Sequence, residues 1–218
     1  MEIDKKKITD KINLLVFENQ KELASTFVRF QEHYESPEFA GKTFSLEEFK
    51  EWYIKNSEKG RETGEFTYYE DWSGFNIPSY VMRPFYEGKF DPLSDQEREF
   101  LDIFRDEKEP FYVIGIHKES KNIQGYLKHE TAHGLFYTDT EYKSKVEKIL
   151  SEYDIEGPKK ELIDNGYSEN VLEDKVHAHA IDKEDVLKNS PTEEMRKRLR
   201  QVYQEYLKKN NASFPEIE

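Results

Sequence analysis

The amino-acid sequence predicts an α+β fold with a small sheet in a mixed α/β N-terminal part and an all-helical C-terminal part. Apolar runs typical of strands occupy residues 12–17 (INLLVF) and 111–117 (FYVIGIH). Helical patterns account for the regular structure expected after residue 120. At 218 residues, the chain has the length of one sizeable domain. We therefore predict a single domain, 1–218, with a mixed α/β lobe (1–120) and a helical lobe (121–218).

Helix N-termini are marked along the chain by capping signals. A Ser or Thr followed three residues later by Glu predicts a capping box, because each side chain bonds the backbone N–H of the other residue. Three such pairs predict helix starts: Ser45 with Glu48, Ser94 with Glu97, and Thr138 with Glu141. Ser190, followed by Pro191, predicts the start of the last helix. Between the first two boxes, residues 66–85 are rich in aromatics and predict short strands and an ordered loop.

The amino-acid composition argues against several classes of function. The net charge of −13 argues against nucleic acid as a partner, because phosphate would be repelled. No apolar run is long enough to span a membrane, and no signal-peptide pattern is visible at the N-terminus. The chain has no Cys, which fits the cytoplasm and excludes Cys-ligated zinc and a Cys nucleophile. We expect a cytoplasmic protein that binds neither nucleic acid nor membrane.

The stretch HETAHGLFY carries the strongest chemical signal. On a helix, residues four apart share one face, so His129 and His133 are able to direct both imidazoles at one metal ion, with Glu130 beside them. The motif follows a predicted strand and a short polar connection, which is where many zinc peptidases place it. Such a strand, at the edge of a sheet, pairs with an extended peptide. The spacing therefore predicts a Zn²⁺ site on a helix that follows an edge strand.

The motif and its context, residues 111–137, resemble the gluzincin type of zinc metallopeptidase. The resemblance implies a third ligand, a Glu on a later helix. In the helix predicted around residues 168–180, Glu173 lies about 60° from the centre of the apolar side, whereas Asp174 points nearly opposite. Glu173 is thus the expected third ligand; Asp174, His177 and His179 remain alternatives. A metzincin arrangement is disfavoured, because it needs Gly where Phe136 stands.

The chain is also similar to small HExxH proteins of bacteria and archaea of about this length. Their late helix carries a D-E pair followed by an A-Y pair, where this chain has Asp174-Lys175 and Ala178-His179. That similarity implies that Lys175 replaces the ligand Glu. Because a protonated Lys is not a metal ligand, it predicts an altered or lost metal site.

The resemblance implies hydrolysis of a peptide or protein substrate. Zn²⁺ would polarise the carbonyl, and Glu130 would serve as general base. His177, His179 or a Tyr would stabilise the transition state, or His177 and His179 would orient a ligand. Two other hypotheses stay open. One is a non-catalytic protein on a metallopeptidase-like scaffold, acting by binding; the other is a metal-dependent hydrolase of a non-peptide bond.

Overall fold

Four strands form one mixed sheet. The computed structural model describes residues 2–165, 167, 169–181 and 192–217. The strands lie in the order β1-β2-β4-β3; β2 and β4 run parallel, and the two outer pairs are antiparallel. They span Ile3–Thr9 (β1), Ile12–Phe17 (β2), Gly74–Pro78 (β3) and Tyr112–His117 (β4). Together with the helical second half, this sheet confirms the α+β prediction.

The strand that precedes the HExxH helix is not an edge strand. β4 lies between β2 and β3, so the prediction of an edge strand at this position was wrong. All six residues of β4 are buried, as expected for a strand paired on both sides and covered on both faces. The edge position belongs to β3, whose Gly74 and Pro78 are better tolerated at an edge than in the middle of a sheet.

Helices of the N-terminal part cover one face of the sheet. Two of the predicted capping boxes are confirmed, at Ser45 with Glu48 and at Ser94 with Glu97. The helices span Gln20–Glu35 (α1), Leu46–Asn56 (α2), Glu58–Thr63 (α3), Tyr68–Asp71 (α4), Arg83–Tyr86 (α5) and Asp95–Phe104 (α6), with a 3₁₀ helix at Ser79–Met82.

Helices of the C-terminal part cover the other face. They span Ile123–Thr138 (α7), Thr140–Leu150 (α8), Glu156–Asp164 (α9), Leu172–Ile181 (α10) and Glu193–Lys209 (α11), with a 3₁₀ helix at Glu169–Val171. The predicted cap of α8 was wrong by one residue, because Asp139 and not Thr138 accepts the backbone N–H groups. Thr192 caps α11; the predicted cap at Ser190 and Pro191 lies outside the described residues. In the ranges that the structure describes, no helix is both long and apolar enough to cross a membrane.

Alternating residues of the central strands enter two separate cores. Val113 packs into the aromatic core under α1 and α6, whereas Ile114 packs into the core under α7, α10 and α11. α7 lies close to the sheet because Gly134 has no side chain: a Cβ there would lie 2.8 Å from Ile12 Cδ1. The glycine that follows His133 thus allows the HExxH helix to pack close to the sheet.

Candidate active site

His129 and His133 lie one turn apart on α7 and turn their Nε2 atoms toward each other. The two nitrogen atoms are 3.3 Å apart. Two ligands of one tetrahedral zinc, each about 2.0–2.1 Å from the metal, are separated by about 3.3 Å. The same distance is within reach of a hydrogen bond between the two rings, with His129 Nε2 as donor and His133 Nε2 as acceptor. The spacing therefore fits two nitrogen ligands of a common metal ion.

Asp174 on α10 fixes the orientation of His133. Nδ1 of His133 donates a hydrogen bond to Oδ2 of Asp174 over 2.8 Å. Burial lowers the pKa of His133 to about 3, so the imidazole is neutral at pH 7. Burial opposes the charge on Asp174, but the contact with His133 outweighs it and its pKa lies below the usual range. A neutral imidazole with its proton on Nδ1 presents the Nε2 lone pair that a metal needs.

His177 supports Asp174 and lies outside the histidine pair. Its side chain is fully buried, with Nε2 2.6 Å from the hydroxyl of Tyr142. Its Nδ1 is 3.6 Å from the second carboxylate oxygen of Asp174. The sequence suggested that His177 either stabilises the transition state or orients a ligand. Its buried position beside Asp174 fits an orienting role rather than contact with substrate.

Glu173, the ligand expected from the sequence, is directed elsewhere. Its side chain is 47% exposed, and it lies 3.8 Å from Lys159 in a separate cavity. The amphipathic argument for Glu173 does not apply, because α10 buries residues on nearly every side, including Lys175 and His177. The next residue, Asp174, reaches α7 instead, and it does so as a partner of His133.

His179 is the third histidine near the pair. Its ring centroid lies 5.1 Å from that of His129, similar to the 4.9 Å between His129 and His133. His179 lines the same cavity as His129 and Glu130. Across residues 2–165, 167, 169–181 and 192–217, no three His, Asp or Glu side chains are arranged to hold a metal ion. A His179 ligand therefore requires an adjustment of its side chain.

Glu130 is a buried carboxylate that faces the cavity. It is 5% exposed, and its Oε2 has no hydrogen-bond partner among the described residues. Burial raises its pKa to about 7, although His129 and Lys175 act in the other direction. A carboxyl group with this pKa is suited to accept and return a proton near neutral pH.

Lys175 supplies a buried positive charge beside these groups. It is 6% exposed, with Nζ 3.0 Å from Oε2 of Glu35 and 5.0 Å from the ring centre of Tyr167. Burial opposes its charge, but Glu35 outweighs this effect, and the pKa of Lys175 lies above the usual value. From the sequence alone, Lys175 was expected only to replace a metal ligand. The four-residue spacing to His179, which places both on one helix face, was a signal that it belongs to the site.

One cavity of about 560 Å³ joins these residues to the N-terminal helices. His129, Glu130, Lys175 and His179 lie at its α7 and α10 side. Both tryptophans of the chain line it, and Trp72 is 53% exposed. Further lining residues from the N-terminal part are Gln31, Glu32, Glu35, Tyr53, Tyr68, Asp71, Gly74, Phe75 and Asn76. The aromatic segment at 66–85 thus contributes to both the core and the cavity.

No family model, curated protein or solved structure matches this chain. The function therefore has to be inferred from the side chains and their arrangement.

Glu32, on α1, is a second carboxyl group in the cavity with an altered pKa. Its Oε1 accepts a hydrogen bond from the hydroxyl of Tyr68 over 2.8 Å. Burial raises its pKa to about 7, while the bond from Tyr68 acts against the rise. In the part of the chain that the structure describes, no Lys, Arg or His forms an ion pair with Glu32. Sequence reasoning missed Glu32, because nothing in its local pattern distinguishes it from other helical glutamates.

Glu32→Gln is expected to stabilise the protein at pH 8. The folded-state pKa near 7 exceeds the ordinary 4.5, so the folded state loses stability as the pH rises from about 4.5 to 7. Each pKa unit corresponds to about 1.36 kcal/mol, and partial contact of Glu32 with water reduces this value. Above pH 7, the ionised Glu32 therefore lowers the free energy of unfolding by about 1–3 kcal/mol. Gln is neutral and keeps an acceptor for Tyr68.

Urea unfolding at pH 8 and pH 4.5 measures this effect. The gain in free energy of unfolding should appear at pH 8 and largely vanish at pH 4.5, where Glu32 is substantially protonated in both states. Glu47→Gln, on an exposed helix surface, is the matched loss of one charge and should show no such gain. Equal or lower stability of Glu32→Gln at pH 8 would contradict the prediction.

Proposed function

We propose that this protein is a zinc-dependent hydrolase that cleaves peptide bonds with Glu130 as general base. The observation that carries the proposal is the 3.3 Å separation of the His129 and His133 Nε2 atoms, with Asp174 behind His133. Among protein ligands of zinc, neutral histidine oriented by a carboxylate is a common arrangement.

His129 and His133 fit the metal as they stand, and His179 is our choice for the third ligand. It shares the cavity and lies as close to His129 as His133 does. Zinc bound there would act as a Lewis acid and would lower the pKa of water to about 7. Glu173 is not retained as a ligand, because it lies in the other cavity.

Glu130 would take a proton from water and return it to the leaving amine. Glu130 lines the cavity, its Oε2 has no hydrogen-bond partner among the described residues, and burial raises its pKa to about 7. General base catalysis of this kind is most efficient when the pKa lies near the working pH. The position of the carboxyl group supports its role as general base.

Lys175 would stabilise the negative charge that develops on the carbonyl oxygen. It lines the same cavity as Glu130, and its Nζ carries hydrogen-bond donors in a setting with little water. Glu35 holds the ammonium group in place through a 3.0 Å contact. The resemblance implied that Lys175 weakens the metal site. Its position instead supports a role in stabilising the transition state.

The position of β3 at one edge of the sheet supports a peptide as substrate. The backbone N–H of Asn76 points away from β4 and donates to Oε1 of Gln31 over 3.3 Å, and both residues line the cavity. An extended peptide is able to bind at such an edge through its own backbone groups, in exchange for this side-chain contact.

Metal content and hydrolysis, measured on the same preparation, test the proposed function. We expect about one zinc per chain and cleavage of a quenched peptide library that stops when a chelator removes the metal and resumes when zinc is restored. His179→Phe should reduce zinc content, and Lys175→Met should slow cleavage with zinc retained. Cleavage that persists without metal, or a chain that takes up no zinc, would refute the proposal.

A binding protein without catalysis is the second candidate. It is favoured by one observation: among the described residues, no group of three ligands is arranged to hold a metal ion. This alternative predicts that the chain takes up no zinc and that a chelator leaves its thermal stability unchanged.

A further inference from the structure

The cavity extends beyond the groups that hydrolysis requires. Its N-terminal side is built from Glu32 and from aromatic rings of the α2, α4 and β3 region, none of which has a role in the reaction above. Trp72 is 53% exposed at this side, and its ring lies 6.3 Å from that of Tyr68. An exposed Trp beside a cavity offers a surface on which a ligand can stack.

The carboxylates of this side differ in how they are neutralised. Glu35 is paired with Lys175, and Asp71 is paired with Lys59 and bonded by Tyr53. Glu32 receives only hydroxyl groups among the described residues, chiefly that of Tyr68. On this side of the cavity, Glu32 is therefore the carboxylate that no cation among the described residues neutralises, and it lies next to the aromatic rings.

Glu130 provides independent evidence that the cavity receives a ligand. Glu130 lines the same cavity and is only 5% exposed, and its Oε2 has no hydrogen-bond partner among the described residues. Among the described residues, neither Glu32 nor Glu130 forms an ion pair, so each carboxyl group can gain from a cation brought by a ligand. The ligand chemistry that such a surface favours is cationic, because aromatic faces and carboxylates both attract positive charge.

We propose that Glu32, Tyr68 and Trp72 form a subsite that binds the ammonium or guanidinium group of a substrate. Its role in catalysis rests on the proposed function, but cation binding does not. Glu32 would supply the charged acceptor, and the ring of Trp72 would cover the bound group. The cation comes either from a Lys or Arg side chain or from a free N-terminal amine.

Tryptophan fluorescence reports directly on this subsite, because both tryptophans of the chain line the cavity. We would titrate the full chain carrying Glu130→Gln, which limits cleavage of the probes. The affinity for N-acetyl-lysine methylamide is compared with that for its norleucine analogue, which tests whether a side-chain cation binds. The affinity for leucinamide is compared with that for N-acetyl-leucinamide, which tests whether an N-terminal amine binds.

In at least one pair, the cationic probe should bind at least tenfold more tightly than its neutral partner. Adding Glu32→Gln should reduce that ratio below about twofold, and adding the exposed Glu47→Gln should leave it unchanged. Gln keeps the acceptor for Tyr68, and thermal unfolding verifies that each variant is folded.

Equal binding within both pairs would overturn the subsite. Discrimination that survives Glu32→Gln would overturn it as well. Discrimination that disappears with Glu32→Gln, in a chain that neither binds zinc nor cleaves peptides, would support the subsite and refute only the proposed hydrolysis.

Discussion

Glu130→Gln is expected to lower the rate of peptide cleavage by about 10²–10⁴-fold while zinc stays bound. Gln occupies the same volume but cannot take up a proton, so the variant removes the general base and keeps the cavity. The loss should appear in kcat, because proton transfer occurs in the transition state. Steady-state cleavage of a quenched peptide, together with zinc analysis of the same sample, measures both parts.

Glu119→Gln is a suitable control for this substitution. Glu119 lies before α7 and is exposed, so its change removes an equal charge without touching the cavity. Normal cleavage by Glu130→Gln would show that Glu130 is not the base. Loss of zinc from the variant would instead assign Glu130 a structural role at the metal.

The second large effect is expected from Asp174→Asn, which should weaken zinc binding by about 10–100-fold. Asn retains the shape of Asp174 but not the charge that orients His133 and strengthens its Nε2 as a ligand. The free energy of unfolding at pH 7 should also fall by about 1.5–3 kcal/mol, the usual value for a hydrogen bond to a charged group. Competition with a chromogenic chelator measures the affinity, and urea unfolding measures the stability.

Glu173→Gln is the matched control, one residue earlier on α10. Glu173 is 47% exposed and paired only with Lys159 among the described residues, so zinc affinity should not change. The opposite result, weak zinc binding in Glu173→Gln and normal binding in Asp174→Asn, would restore Glu173 as the third ligand.

Features that depend on neighbours in sequence were predicted well. The HExxH helix, the buried strand at 12–17 and two capping boxes follow from contacts within a few residues. The pairing of strands depends on distant segments. For this reason the apolar run at 111–117 predicted a strand, but its place in the middle of the sheet became evident only from the fold.

The sequence predicted only some of the residues that form the candidate site. His129, Glu130 and His133 come from one helix and share a recognisable spacing. Glu32 reaches the same cavity from α1, about one hundred residues earlier, and no local pattern links the two. α10 is buried on most sides, so the apolar stripe that favoured Glu173 does not correspond to a single buried face.

The contact between Gly134 and Ile12 has a consequence for how this sequence can evolve. A Cβ at position 134 would lie 2.8 Å from Ile12 Cδ1, so either the Ile12 side chain or α7 would have to shift. Such a substitution would be accepted most readily together with a smaller residue at 12. The size of the side chain at position 12 therefore sets how closely α7, and with it the histidine pair, can pack against the sheet.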